Sequence, residues 1–444
     1  MNNSIIKSLF LILLATSLLH AQKKAPIILK GATVIDSWNN EPRYNTYIIM
    51  QGSIIETSGK PFEITLPGNA KIIDLTGKFV MPGLIDVHAA YTDSNDLATM
   101  FSMGITTVNI LTTDIHSQII QLSQLDSVPL PQIIATVPIH LEESTWQKHY
   151  SNAIDSIVNN IPHNTDEARA EIQQLAAEGV TRICIMYDPM QWCNDSIPMN
   201  HIIDSSIVDA LIKEAKVNNM SISVQAPEYS KAIHVANIGV TSLEHGVTDE
   251  RISSDLVDRI GYFSSHYVPT LVRGEAFANP EGVIAQVVSD TFFNKLLPQS
   301  AINKYSSPEF LTEFSGFCKN STYSKTHLAI MYDNCGAIIK NYIPVSMGTD
   351  LLMFPGVAAH LELENLIKAG VNPMQAIVSG TGIAAQCLGI RKEVGFVYAK
   401  CRADLIVLDK NPVEDIKNTR SISMVIKHGV VFDFSASKKQ QKRK

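Results

Sequence analysis

Eight short apolar runs alternate with polar, helix-like stretches through the middle of this 444-residue chain. Helix-like stretches such as 166–178, 206–218 and 360–369 carry apolar residues at three- and four-residue spacing, which predicts amphipathic helices. Strands that alternate with helices form parallel sheets. Eight such units suit a (β/α)8 TIM-like barrel, whereas an open doubly wound sheet alternates in the same way. The predicted strands are 84–87, 106–110, 132–137, 182–186, 221–224, 242–244, 267–271 and 345–347.

Both ends of the chain differ from this middle because they are rich in β-forming residues. Such runs, separated by Asn, Gly and Pro, stand at 27–29, 33–35, 47–50, 394–397, 405–408 and 424–426. Neither end has enough apolar surface to fold alone, so we expect both to pack into one small β-sandwich. The predicted domains are the composite β-sandwich (22–80 and 388–434), the barrel (81–387) and a basic, disordered tail (435–444).

The first 21 residues have the pattern of a secretory signal peptide. Lys7 precedes an almost wholly apolar run at 8–19, and Ala21 is the small residue at the expected cleavage point. This run is shorter than the about 20 apolar residues that cross a bilayer. A buried N-terminal helix is the alternative interpretation. We therefore expect an exported protein, periplasmic or secreted, without a membrane span.

Charge argues against nucleic acid as a partner. The net charge is −7, and neither a basic stripe nor a nucleic-acid-binding motif is present. Proteins bind phosphate backbones through clustered Lys and Arg side chains. We therefore expect a small-molecule substrate or ligand, and the sequence does not indicate an oligomeric state.

Three potential metal ligands stand at or just after the ends of predicted strands. His88 closes the segment 82–88, His245 follows the run 242–244, and Asp350 comes shortly after the run 345–347. Active-site residues of such barrels lie at the carboxyl ends of the strands, so we expect these three side chains to meet at the barrel mouth. Two imidazoles and a carboxylate suit zinc or another divalent metal.

The order and spacing of four segments, 82–88, 243–246, 348–350 and 395–408, resemble the amidohydrolase superfamily, most closely its imidazolonepropionase-like and prolidase-like exported branch. The resemblance extends over about residues 27–434. It implies a (β/α)8 barrel with a β-sandwich from both chain ends. It also implies hydrolysis of amide or related C–N bonds by metal-activated water, with Asp350 as the catalytic residue that transfers the proton.

Three of the six usual metal-ligand positions of that family are substituted in this chain. The second histidine of the first strand is replaced by Ala90, the lysine of the fourth strand by Cys184, and the histidine of the fifth strand by Gln225. A two-metal centre is therefore not expected. Two outcomes stay open, namely no metal at all or one zinc or other divalent ion with the ligands His88, His245, Asp350 and Cys184.

Three further side chains are candidates for binding a substrate: His140, His266 and Gln225. His140 and His266 adjoin apolar runs, and a hydrogen-bonded structural role is the alternative for each of them. His360 is expected to support the site from outside or to cap a helix. Cys184 lies in an apolar run, where a small buried side chain is more common than a nucleophile.

Two functions from different classes remain open. One is an exported hydrolase of non-peptide or dipeptide-like amide bonds, with an altered and at most mononuclear metal site. The other is a catalytically inactive relative, a pseudoenzyme, whose barrel mouth binds a small ligand or a partner. The metal content of the pure protein distinguishes them, because zinc lowers the pKa of bound water from about 15.7 to about 7.

Overall fold

The computed structural model describes residues 25–39, 41–90, 93–141, 161–188, 204–317, 321–351 and 353–434. The predicted signal peptide (1–21) and the predicted basic tail (435–444) lie outside these residues. Most of residues 138–165 also lies outside the described residues. The described residues form two sheets, one built from the chain ends and one that forms a barrel.

Strands from both chain ends share one sheet. With strands numbered in chain order, they are β1 (Ile27–Val34), β2 (Arg43–Gln51), β3 (Ile54–Gly59), β4 (Lys71–Asp74), β5 (Phe79–Pro82), β13 (Leu405–Leu408), β14 (Ile422–Lys427) and β15 (Val430–Asp433). Their order is β15-β14-β13-β5-β1-β2-β3, and β4 pairs with β1 in parallel. Leu29, Ile48, Val80 and Leu405 belong to one buried core. The prediction that the two ends fold together is confirmed.

Seven parallel strands follow one another around the barrel in chain order. They are β6 (Leu84–Ala89), β7 (Ile105–Leu111), β8 (Gln132–His140), β9 (Arg182–Met186), β10 (Ser221–Gln225), β11 (Ser242–Glu244) and β12 (His266–Val268). Each one overlaps a strand that the sequence predicted. The alternative of an open doubly wound sheet is excluded by this order, which has no reversal point.

The predicted eighth strand fills the gap between β12 and β6. The Tyr267 amide donates to Pro344 O at 2.9 Å, and the Ser346 amide donates to Tyr267 O at 3.0 Å. On the other side, the Val87 amide donates to Met347 O at 3.0 Å. The segment 344–347 is thus hydrogen-bonded to both neighbours, and it brings the loop that follows it next to the end of β6.

Helices cover the outside of the barrel and follow several of its strands. Within the described residues they are α1 (Ser94–Ser102), α2 (Gln118–Ser123), α3 (Thr165–Ala177), α4 (Ser205–Val217), α5 (Tyr229–Ile238), α6 (Ser254–Phe263), α7 (Leu271–Ala278), α8 (Pro280–Ser289), α9 (Phe293–Leu296), α10 (Gln299–Tyr305), α11 (Pro308–Phe317), α12 (Ser321–Lys340), α13 (Val357–Ala369), α14 (Pro373–Ser379) and α15 (Gly382–Cys387). A 3-10 turn spans Ile416–Arg420. No described helix is both long enough and apolar enough to cross a bilayer.

The stretch 274–326, which has no continuous apolar period, is largely helical. It holds most of α7, all of α8 to α11 and the start of α12. Pro280 and Pro308 each open a helix, where the missing amide proton costs nothing because no partner is needed there. Each new start resets the helical phase, so a periodic pattern over the whole stretch does not arise.

His266, a predicted substrate-binding residue, lies away from the barrel mouth. It opens β12 and pairs with Ser242, the first residue of β11, so it sits at the amino end of the strands. Its Nδ1 lies 2.8 Å from Ser346 Oγ, and the side chain is 4% exposed. The structural alternative for His266 therefore agrees with this position, because barrel sites collect at the opposite end.

His360 is also a buried structural residue. It lies in α13, with Nδ1 2.9 Å from Thr419 Oγ1 and Nε2 3.0 Å from the carbonyl oxygen of Met103. These contacts join the barrel to the 3-10 turn before β14. His360 therefore links the barrel to the terminal sheet and does not lie among the residues of the barrel mouth.

Lys427 forms a second contact between the terminal sheet and the barrel. This residue ends β14, its side chain is fully buried, and its Nζ donates to the carbonyl oxygens of Ser123 at 2.6 Å and Leu125 at 3.3 Å. A third acceptor, Val128 O, lies 3.4 Å away. Because α2 ends at Ser123, the ammonium group satisfies the carbonyl of the last residue of this helix, which has no partner within the helix.

Replacing Lys427 with Met is expected to lower the free energy of unfolding by about 1–3 kcal/mol, because the carbonyl of Ser123 loses its buried donor. Urea unfolding followed by circular dichroism measures the change. The exposed Lys417 on the 3-10 turn is the matched control, and Lys417→Met is expected to unfold like the wild type. Equal stability of Lys427→Met and the wild type contradicts this role of Lys427.

Acidification is expected to destabilise the fold through its buried histidines. Burial lowers the pKa of His266 to about 4, and burial together with the Arg420 guanidinium lowers the pKa of His360 to about 3. Both imidazoles stay neutral in the folded protein, whereas in the unfolded chain they take up a proton below about pH 6.5. The contribution of these two histidines to stability is therefore complete above about pH 6.5 and falls towards pH 4, by up to about 1.4 kcal/mol per pH unit for each group.

Urea unfolding at pH 7.5, 6 and 5 measures this slope. His360→Gln is expected to reduce the slope, and the exposed His163→Gln is expected to keep it. An equal slope for His360→Gln and the wild type contradicts the assignment.

Candidate active site

Three of the predicted site residues meet at the carboxyl ends of the barrel strands. His88 lies near the end of β6, His245 directly after β11, and Asp350 in the loop after the eighth segment. One potential ligand atom from each lies within 4.8 Å of the others. His88 Nε2 is 3.8 Å from Asp350 Oδ1, and His245 Nε2 is 3.6 Å from Asp350 Oδ2.

Unusual backbone conformations aim two of these side chains. His245 has a φ of 72° and Asp350 a φ of 40°, in the left-handed region that non-glycine residues rarely occupy. The Asp350 amide donates to His88 O at 2.8 Å, which holds the turn. Gly348 is needed beside it, because a Cβ there would lie 2.6 Å from Val268 Cγ1. Such strain persists only where the surroundings fix it, and it is common at functional sites.

Asp86 joins the two loops that carry His88 and Asp350. Its Oδ1 accepts from the His88 amide at 3.1 Å and from the Thr349 amide at 3.2 Å, and its Oδ2 accepts from Thr349 Oγ1 at 2.7 Å. Burial raises the pKa of this carboxyl to about 6, although the hydrogen bonds from Thr349 and His88 oppose the shift. Through these contacts Asp86 orders the loop after the first barrel strand.

Both imidazoles are anchored through Nδ1, so Nε2 faces the centre of the cluster. His88 Nδ1 lies 3.2 Å from Glu244 Oε2, and His245 Nδ1 lies 3.1 Å from Thr270 Oγ1. His245 Nε2 is buried and has no hydrogen-bond partner within the part of the chain that the structure describes. This arrangement is typical of metal-binding histidines, whose second nitrogen is fixed by a carboxylate or another polar group.

The two histidines differ in their electrostatic surroundings. Burial lowers the pKa of His88, but the carboxylates of Glu244 and Asp350 outweigh it and leave that pKa above its usual value. Burial, the Arg273 guanidinium and His88 together hold the pKa of His245 well below its usual value. The low pKa keeps His245 neutral, which is the protonation state that a metal ligand requires.

The donor set fits one divalent metal and does not fit two. His88, His245 and Asp350 supply two nitrogens and one oxygen, and a further ligand such as water completes a four-coordinate site. Ala90 offers no donor atom. Gln225 ends β10 with its Nε2 3.4 Å from His88 Nε2, and an amide is a weaker zinc ligand than an imidazole. A second ion could share only Asp350 with the first, and one carboxylate is too few ligands to hold it.

Cys184 does not belong to the cluster that the sequence proposed for it. It sits in the middle of β9, paired with Pro138 and Ser223, two residues before the strand ends. Its side chain is fully buried, and burial raises the pKa of the thiol well above its usual value. A metal binds the thiolate, so both the position and the protonation state of Cys184 argue against it as the fourth ligand.

His140 and Gln225 both end barrel strands on the side of the mouth. His140 is the last residue of β8 and pairs with Met186, the last residue of β9. It is half-buried, and burial lowers the pKa of its imidazole to about 4. Both residues therefore agree in position with a role in substrate binding, unlike His266.

Arg273 is a residue of the site that the sequence analysis missed. Its Nε lies 3.0 Å from Asp350 Oδ2, and the residue is only 3% exposed. It belongs to α7, and the Glu362 carboxylate accepts from the first two amides of this helix, Leu271 at 3.0 Å and Val272 at 2.6 Å. A lone cation in an apolar segment just after a strand is the signal that could have found it.

Comparisons with known proteins agree with this architecture. The sequence profile of the Amidohydrolase family matches residues 79–432. A putative prolidase from Bifidobacterium longum has a similar structure, with a TM-score of 0.72, 21% identity, and coverage of 95% of this chain and 99% of that one. A Xaa-Pro dipeptidase with bound methionine has a TM-score of 0.72 at 20% identity, and the match covers 92% and 100% of the two chains.

Two further matches show how much of each chain the similarity covers. Molinate hydrolase has a TM-score of 0.69 at 17% identity, and the match covers 93% of this chain and 96% of that one. Dihydropyrimidinase-related protein 5 from Mus musculus is 21% identical over 237 residues, which are 50% of this chain and 40% of that protein. The chain thus matches less than half the length of this curated relative. Because the family profile covers most of the chain, including His88, His245 and Asp350, the chain belongs to the amidohydrolase family.

Proposed function

We propose that this protein is a hydrolase of small amide or related C–N substrates that uses a single divalent metal held by His88, His245 and Asp350. The observation that carries the proposal is the buried Nε2 of His245, which faces Asp350 and has no hydrogen-bond partner among the described residues. An unsatisfied buried nitrogen costs free energy, about 1–3 kcal/mol. A metal removes that cost, and the anchored Nδ1 atoms of both histidines already orient the rings for it.

In this proposal the chain's own residues bind the substrate and move the proton. A bound zinc ion makes water acidic and polarises a carbonyl group. Asp350 accepts the proton of the attacking water and passes it to the leaving nitrogen; its side chain is 27% exposed, unlike the two buried histidines, so water reaches it from the mouth. Gln225 and the neutral imidazole of His140 lie at strand ends beside the mouth and orient the substrate.

The family and the names of similar structures support an amide substrate class. Those structures are a putative prolidase, a Xaa-Pro dipeptidase and molinate hydrolase. Their identity to this chain is 21% or lower, so the class of bond is proposed and a particular substrate is not.

A catalytically inactive relative is the second candidate, and Arg273 is the observation that favours it. The guanidinium contacts the only carboxylate of the three-residue cluster. The positive charge of Arg273 balances the negative charge of Asp350, which a bound metal ion would otherwise do. In that case the barrel mouth binds a small ligand or a partner without hydrolysing it.

The hydrolase proposal predicts one tightly bound zinc per chain after loading and desalting. His245→Ala and Asp350→Ala are expected to reduce this content at least tenfold, because each leaves only two of the three ligands. Elemental analysis with protein quantification measures it, and the exposed His116→Ala is the control. Zinc-free wild type supports the inactive relative instead, and two zinc ions per chain contradict the assignment of the ligands.

We also propose that the protein acts after export, since Lys7, the apolar run 8–19 and Ala21 form a signal-peptide pattern. N-terminal sequencing of protein recovered from the periplasm or the medium is expected to start within a few residues of Gln22. Mature protein that still carries Met1 contradicts this proposal.

A further inference from the structure

We propose that Arg273 competes with the metal for Asp350 and thereby weakens metal binding. This inference rests on the proposed metal site. It assigns to Arg273 a role in setting metal affinity, which the ligand residues alone do not explain.

The carboxylate of Asp350 lies between the guanidinium of Arg273 and the two imidazoles of the proposed metal site. Asp350 Oδ2 lies 3.0 Å from Arg273 Nε and 3.6 Å from His245 Nε2, and Oδ1 lies 3.8 Å from His88 Nε2. The oxygen that faces His245 is therefore the same oxygen that the guanidinium contacts. A metal that binds both histidines and Asp350 must share this carboxylate with Arg273 or displace it.

Arg273 is held in place from several sides. Phe277, one turn later on α7, packs against the guanidinium, whose Cζ lies 5.0 Å from the ring centroid. The start of α7 is fixed by Glu362, a buried residue of α13 that accepts from the Leu271 and Val272 amides. Since Arg273 is 3% exposed, its side chain does not move freely into solvent. The positive charge consequently stays next to the ligands.

The charges of the site give this contact its effect. Asp350 is the only acidic member of the cluster, and Arg273 neutralises it. Cys184 is a protonated thiol at neutral pH, and Gln225 and Ala90 carry no charge. Glu244 and Asp86 are the other nearby acids. The Glu244 carboxylate contacts His88 Nδ1 and Ser242 Oγ, and Asp86 accepts from the His88 and Thr349 amides. A dication that approaches Asp350 thus meets repulsion from a fixed guanidinium that no additional ligand carboxylate offsets.

Removing the charge while keeping a hydrogen-bond donor tests the proposal. Arg273→Gln is expected to bind zinc at least tenfold more tightly than the wild type, whereas Arg273→Lys, which keeps the charge, is expected to stay within about threefold of it. The readout is zinc affinity of chelator-treated protein, measured by competition with a zinc-binding dye, with circular dichroism as the check of folding. An unchanged or weaker affinity of Arg273→Gln overturns the role of Arg273.

A second pair of variants separates this proposal from the metal site on which it rests. His245→Ala in the Arg273→Gln background is expected to abolish the tight binding, which shows that the gain occurs at the proposed ligands. If the wild type binds zinc through His245 and Arg273→Gln has no effect, only the inference about Arg273 fails. If neither the wild type nor Arg273→Gln binds zinc, the proposed metal site fails and the inference with it.

Discussion

The buried carboxylate of Asp86 is the contact on which the geometry of the site depends. It accepts three hydrogen bonds, from the His88 amide and from the amide and hydroxyl of Thr349. These bonds connect the first barrel strand to the loop after the last, at the point where the barrel closes. His88 is itself a site residue, and Thr349 directly precedes Asp350. The shared contact with Asp86 therefore fixes His88 and Asp350 relative to each other. Burying a carboxyl is unfavourable without such partners, and its three donors make the position of Asp86 specific.

Charge compensation distinguishes this site from a simple set of metal ligands. Like charges repel each other, and this repulsion is stronger in a buried site than in water. Arg273 Nε lies 3.0 Å from Asp350 Oδ2, so a metal on the same carboxylate would lie close to the guanidinium. In the proposed site, this repulsion outweighs the orientation that the guanidinium gives to Asp350. On this account the site keeps the family's geometry for one ion and holds it less tightly than three free ligands would.

Much of the barrel could be predicted from the sequence because its strands are apolar and bounded by turns. The strands 182–186 and 242–244 were predicted with the bounds that the structure has, and His88, His245 and Asp350 follow from their positions at strand ends. Burial and register are what the sequence does not reveal. Cys184 lies two residues below the end of β9, and His266 lies at the opposite end of β12. Arg273 was missed because it follows its strand on a helix, and only tertiary packing brings that helix to Asp350.

Anomalous diffraction at the zinc absorption edge, from crystals of zinc-soaked wild-type protein, tests the central claim most directly. The account predicts one anomalous peak per chain, bounded by His88 Nε2, His245 Nε2 and the Asp350 carboxylate. Two peaks at the barrel mouth, or a peak within bonding distance of the Cys184 sulfur, would contradict it.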